Sequence, residues 1–224
     1  MGISEYEAQN SVNAKGQLKP SQYVSFEYAD GKRRVTFVGN SITRHGPKAD
    51  IGWSGDWGMA ASAKDRDYVH LVKKGLEERN DPASICIAQA AVWERGFLED
   101  DKILENEFSD VRLFDADTLV VRIGENMKKD QIALCGPYFE KMIRFFVTES
   151  TKKIVVTDSF WEHQVRDSII RDICDRNGYT FCRISDLGND QSNMAIGQYE
   201  HKGVSVHPCD LGMERIADRI LALI

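Results

Sequence analysis

Val35-Thr36-Phe37-Val38-Gly39-Asn40-Ser41 decides how this chain is read, because an unbroken β-branched and aromatic run leads straight into a glycine and a presented hydroxyl. Continuous rather than alternating apolar character marks a strand buried on both faces, as in a parallel sheet. Four similar runs follow: Ile85-Cys86-Ile87-Ala88, Leu119-Val120-Val121-Arg122-Ile123, Ile154-Val155-Val156-Thr157 and Tyr179-Thr180-Phe181-Cys182. Helical patterns separate them. Leu71, Val72 and Leu76 fall within 65–79, Ile132, Phe139, Met142, Ile143 and Phe146 within 131–149, and Val165, Ile169 and Ile173 within 164–176, where Asn177-Gly178 stops the helix. Met213, Ile216, Ala217, Ile220, Leu221 and Ile224 recur at spacings of three and four, which gives a terminal helix with one face on the sheet. Repeated β-α units with right-handed crossovers predict an α/β fold: a three-layer α/β/α sandwich over 34–224 with a five-stranded parallel sheet. Its ligands bind at the carboxyl ends of the strands.

Upstream, Tyr23-Val24-Ser25-Phe26-Glu27-Tyr28 alternates and is followed by Asp30-Gly31, a hairpin signal into the first strand. That strand is normally central in a doubly wound sheet, where an antiparallel partner would compete with its parallel neighbours. Residues 1–33 are therefore expected to form an extension packed on the outside of the domain.

The 224 residues are 42% hydrophobic and 29% charged, enough for one domain with a substantial core. A net charge of −6 with scattered basic residues gives no support for a nucleic-acid or anionic-membrane surface. No apolar run approaches the roughly 18 residues of a membrane span, and the N-terminus lacks a signal-peptide layout, so a soluble cytoplasmic protein is expected. Cys86, Cys135, Cys174, Cys182 and Cys209 form no Cys-x-x-Cys pair, and the five histidines show no His-x-x-x-His spacing. Reduced thiols, no metal and no cofactor follow.

Three loops after strands carry the chemistry. Gly39-Asn40-Ser41 presents a hydroxyl at the end of the first strand; Ser41 or Thr43 capping a helix is the plainer alternative. Val206-His207-Pro208 places an imidazole on the loop that opens the last helix, where Asp210 has the separate reading of a helix-start carboxylate. Ile123-Gly124-Glu125-Asn126 ends the third strand with an amide and a glycine N–H that could converge on one oxygen, although a simple Gly-Asn turn would look the same.

Together these blocks resemble the SGNH, or GDSL-like, hydrolase family, over roughly residues 34–224. The resemblance implies a flavodoxin-like three-layer sandwich and ester hydrolysis with Ser41 as nucleophile, His207 as base, and Asn126 and Gly124 as oxyanion donors. The sequence departs from the family in three places. Asn40 stands where an Asp is usual. The second block, Ala88-Gln89-Ala90-Ala91-Val92-Trp93, has no glycine, leaving a backbone N–H of Ala91 or Val92 to serve. Val204 occupies the position of the triad acid, three residues before the histidine. Either Asp158, Glu200 or Asp210 substitutes for that acid, or a backbone carbonyl holds His207 in a Ser-His dyad; Asp158 could equally cap its own turn.

Trp53 and Trp57 lie in the glycine-rich loop 51–62, and Trp93 and Trp161 follow other strands, so their rings either line a substrate rim or plug the core. The expected function is a serine esterase acting on small acyl esters, acetyl above all, of a sugar or glycan, with no nucleic-acid or membrane partner. Two alternatives stand beside it: a catalytically impaired glycan-binding or scaffold protein, and a lipase or thioesterase.

Overall fold

The computed structural model describes residues 18–224. Its strands are β1 (Val24–Glu27), β2 (Arg33–Gly39), β3 (Ala83–Gln89), β4 (Thr118–Arg122), β5 (Lys153–Thr157) and β6 (Thr180–Cys182). They form one sheet in the order β1-β3-β2-β4-β5-β6. Every pair from β3 to β6 is parallel, and the five apolar runs are those strands.

The sheet has six strands rather than the expected five. The sixth is β1, which pairs antiparallel with β3, from Val24 opposite Ala88 to Glu27 opposite Ile85. The Asp30-Gly31 hairpin into β2 does not form, because β3 and β4 already occupy both edges of β2. The chain crosses instead to the free edge of β3. Residues 1–17 of the expected extension lie outside the described residues.

The helices are α1 (Tyr68–Glu78), α2 (Ala91–Gly96), α3 (Ile103–Leu113), α4 (Cys135–Phe146), α5 (Gln164–Asn177), α6 (Lys202–Ser205) and α7 (Asp210–Leu221). Successive strand residues point to opposite faces, and the core divides accordingly. Val38, Cys86, Leu119, Val121 and Val156 meet Phe108, Phe139, Met142 and Ile170 of α3, α4 and α5. Val35, Phe37, Ile85, Val120 and Val155 meet Tyr68, Val72 and Leu76 of α1 and Met213, Ile216 and Ile220 of α7. The result is a three-layer sandwich. A third cluster of Trp53, Met59, Ala60, Ala195, Val204 and Cys209 binds the loop after β2 to the loop before α7 at the carboxyl edge. All five cysteines are buried and unpaired, and no helix among the described residues is long and apolar enough to cross a membrane.

Candidate active site

β2 delivers Ser41 through a tight turn in which the N–H groups of Thr43 and Arg44 both donate to the Asn40 carbonyl, at 2.9 and 3.0 Å. Gly39 permits it: a Cβ there would sit 1.8 Å from Thr43 Oγ1 and 2.8 Å from the Arg122 carbonyl oxygen. The Ser41 carbonyl accepts from Met59 N–H at 2.8 Å. Its side chain is left half-buried at the strand ends, with Oγ 2.8 Å from His207 Nε2.

His207 is held on its other side by a backbone carbonyl. Nδ1 lies 2.6 Å from the oxygen of Gly203, in the short helix α6. A carbonyl can only accept, so the proton sits on Nδ1 and Nε2 presents a lone pair to Ser41. Burial lowers the imidazole pKa to about 4, against the hydrogen bond to Gly203 that favours the charged form. The Trp161 ring stands edge-on to the imidazole, with centroids 5.2 Å apart.

None of the three candidate acids reaches the imidazole. Asp158 is buried and accepts from the N–H groups of Ile184 and Ser185, at 2.5 and 3.0 Å, which fixes the segment after β6. Asp210 accepts from the N–H and hydroxyl of Ser62, at 2.8 and 2.6 Å. Glu200 is exposed. Val204 is fully buried among apolar neighbours. Of the alternatives left open by the sequence, the structure has the carbonyl-held pair.

Gly124, expected as an oxyanion donor, has its N–H already engaged. Its single N–H donates to Glu94 Oε1 at 2.6 Å, so it has no hydrogen left for a substrate oxygen. The glycine is needed for its backbone: φ is +141°, and a Cβ would meet Arg166 Cδ at 2.9 Å. The Asn126 side chain donates to Glu94 Oε2 at 2.6 Å, but an amide NH₂ carries two hydrogens and one stays free. Among the described residues the Ser41 N–H also has no hydrogen-bond partner. Ala91 and Val92 open α2, where N–H groups lack a carbonyl partner within the helix.

Glu94, which no sequence block singles out, joins these loops. Besides Gly124 and Asn126 it accepts from Asn40 Nδ2 at 3.1 Å. Asn40 Nδ2 also donates to Glu125 Oε2 at 2.6 Å, and Asn40 Oδ1 accepts from Arg122. Glu125 in turn receives two hydrogen bonds from Arg122, both at 2.9 Å, and one from Phe160 N–H at 3.1 Å. Against the burial that would raise it, Arg122 and Arg166 hold the Glu125 carboxyl down at about 2. Burial and then the charge of Glu125 push Glu94 upward. Asn at position 40 is therefore a fitted residue: it donates between two carboxylates, where an Asp would add a third.

The tryptophans do not share one rim. Trp53 and Trp93 are each 3% exposed and belong to the core clusters. The Trp53 N–H donates to the His45 carbonyl at 2.8 Å, and its ring packs on Trp57 and Tyr199. Trp57 is half-buried and donates to the Ala61 carbonyl at 2.9 Å. Only Trp161 touches the His207 ring. Beside the Ser41 turn opens a cavity of about 600 Å³, lined by Tyr23, Arg44, His45, Val92, Arg95 and Ile103 among others. Among the described residues no group of three His, Cys, Asp or Glu side chains is arranged to hold a metal ion.

No family model matches the chain, and neither does any curated protein. Solved structures do. A lipase/acylhydrolase from Enterococcus faecalis superposes with a TM-score of 0.58 at 13% identity, over 85% of this chain and 94% of that one. LAE5, an alpha/beta hydrolase enzyme from the metagenome of Lake Arreo, Spain, gives 0.53 at 18% identity, over 86% and 95%. The acetyl xylan esterase AlAXEase gives 0.53 at 14% identity, over 85% and 99%. The chain has the SGNH/GDSL-like hydrolase fold.

Proposed function

We propose that the protein is a serine ester hydrolase working through a Ser41-His207 dyad. The observation that carries this reading is the 2.8 Å contact between Ser41 Oγ and His207 Nε2, with Nδ1 held at 2.6 Å by the Gly203 carbonyl. A hydroxyl is a weak nucleophile until a neighbouring base takes its proton, and an imidazole neutral down to about pH 4 is available as that base across the physiological range.

In the reaction His207 Nε2 accepts the Ser41 proton as Oγ attacks the ester carbonyl, and the oxyanion is met by the Ser41 N–H and the free hydrogen of the Asn126 amide. The imidazolium then returns the proton to the leaving alcohol, giving an acyl-Ser41 intermediate. Water, deprotonated by the same imidazole, releases the acid and restores the serine.

The substrate we favour is a small acyl ester, acetyl above all, carried on a sugar. The half-buried Trp161 ring beside His207 offers an aromatic face of the kind that packs against a sugar ring, and AlAXEase, a protein of like fold, is an acetyl xylan esterase. Hydrolysis of p-nitrophenyl acetate, butyrate and octanoate, alongside acetylated sugars, tests it. The reading predicts turnover of acetyl esters ahead of octanoate; preference for octanoate would indicate a lipase, and no turnover of any ester a binding protein.

A further inference from the structure

Glu94 is fully buried on α2. A carboxylate survives in such a place only when donors surround it. Oε1 accepts from Asn40 Nδ2 at 3.1 Å, Gly124 N–H at 2.6 Å and Asn126 N–H at 3.2 Å, and Oε2 accepts from Asn126 Nδ2 at 2.6 Å. One side chain therefore joins the residue preceding Ser41 to both ends of the 124–126 segment.

We propose that Glu94 is a positioning residue for the oxyanion site: it draws one hydrogen of the Asn126 amide onto Oε2, which fixes the amide plane and turns the second hydrogen toward the substrate. The proposal rests on the esterase reading above. A carboxylate suits this task because it only accepts. The opposite orientation of Asn126, with Oδ1 toward Glu94, sets oxygen against oxygen and is repelled. A glutamine could accept or donate and would tolerate both orientations, one of which presents Asn126 Oδ1 to the developing oxyanion.

The same geometry makes the site sensitive to acid. The charged groups around Glu94 are Glu125, which shares the Asn40 amide, and Arg122 and Arg166, which hold Glu125 ionised. Burial and the Glu125 charge raise the Glu94 carboxyl, while burial lowers His207, so Glu94 is the first of the two to protonate as pH falls. A proton on Oε2 turns the acceptor into a donor, and Asn126 loses its orienting partner. The acid limb of kcat then belongs to Glu94 rather than to the base.

The test compares wild type, Glu94→Gln, Asn126→Ala and the double variant on p-nitrophenyl acetate across pH. Glu94→Gln should lower kcat by roughly 10–100-fold, with KM within about threefold, because the loss falls in the transition state. The double variant should be no slower than Asn126→Ala alone, since the two residues act as one unit. The acid limb should move down in Glu94→Gln toward the His207 value of about 4. Multiplicative losses in the double variant, a loss confined to KM, or an unmoved limb would overturn the proposal. Should Glu94→Gln fail to fold, warming the wild type decides: a carboxyl limb stays in place, whereas a limb that slides with temperature as an imidazole does contradicts the assignment. Hydrolysis surviving in Ser41→Ala would remove the esterase reading itself. An inactive Ser41→Ala with multiplicative Glu94 and Asn126 losses would remove only the positioning role.

Discussion

His207 Nδ1 meets the carbonyl oxygen of Gly203, four residues back along the chain, at 2.6 Å. That contact performs one of the two tasks of a triad acid. It fixes the tautomer that leaves Nε2 free for Ser41, but a neutral carbonyl stabilises the imidazolium far less than a carboxylate does. Burial lowers the imidazole pKa to about 4, and the Gly203 carbonyl offsets only part of that shift.

Removing the nearby carboxylates should therefore cost little. Asp158→Asn, Glu200→Gln and Asp210→Asn are each expected to keep kcat within about tenfold of wild type, per molecule of folded protein, whereas loss of a true triad acid costs roughly 10⁴-fold. Steady-state kinetics with folding checked by circular dichroism measures this, and a collapse in any one variant would identify an acid. By family analogy alone, Val204→Asp ought to restore a triad. Val204 is instead buried with Trp53, Met59 and Cys209, so the new carboxylate would lower stability rather than raise activity.

Asn126 and Gly124 should separate cleanly. If Asn126 donates to the oxyanion as proposed, Asn126→Ala should lower kcat by roughly 10²–10³-fold with KM nearly unchanged. Gly124→Ala forces a side chain onto a backbone at φ +141° and against Arg166, so its effect should appear as a lower Tm. A Gly124→Ala protein of unchanged Tm would argue against that packing.

Asn40→Asp tests whether the amide is fitted to its two carboxylates. The added acid would face Glu94 and Glu125 in a buried site, and a cost of about 3 kcal/mol or more is expected at neutral pH. Its folded-state pKa would be raised above the unfolded value, so the folded protein binds the extra proton more tightly. The deficit should shrink as pH falls and grow as pH rises, measured by urea unfolding against wild type. A deficit independent of pH would point to a steric cause.

His70 gives the fold a basic limit. Its Nδ1 lies 2.7 Å from Asp67 and its Nε2 2.9 Å from Glu27, which links the edge strand β1 to the start of α1. Burial alone would lower the imidazole pKa; the hydrogen bonds to Asp67 and Glu27 overcome it and raise the value to about 9. A group raised in the folded state contributes fully below its unfolded pKa and loses that contribution as pH climbs through about 9. Wild type should lose about 2–3 kcal/mol between pH 6 and 10 relative to His70→Gln. Parallel stability curves for the two proteins would contradict this.

The architecture was legible because five buried strands write themselves as unbroken apolar runs, and α7 as a periodic stripe. The helix α3 leaves only a weak stripe, Leu104, Phe108 and Val111, interrupted by acidic neighbours. The alternation of β1 is legible but its pairing is not, since the free edge it joins depends on which strands already flank β2. Ser41, His207 and Asn126 stood out as motif residues on loops after strands. Glu94 could not stand out: its signal is burial amid donors from three separate segments, and no local spacing encodes that. Trp53 misled for a related reason, because a tryptophan in a glycine-rich loop reads the same whether it faces ligand or core.

Every step proposed for the site depends on Ser41 as an activated nucleophile. Treatment with a fluorophosphonate probe, followed by mass spectrometry of the digested protein, should find the adduct on Ser41 alone. Ser41→Ala should take up no label, and its loss of ester hydrolysis should be on the order of 10⁴-fold or more. An adduct on another residue, or hydrolysis persisting in Ser41→Ala, would contradict the Ser41-His207 mechanism outright.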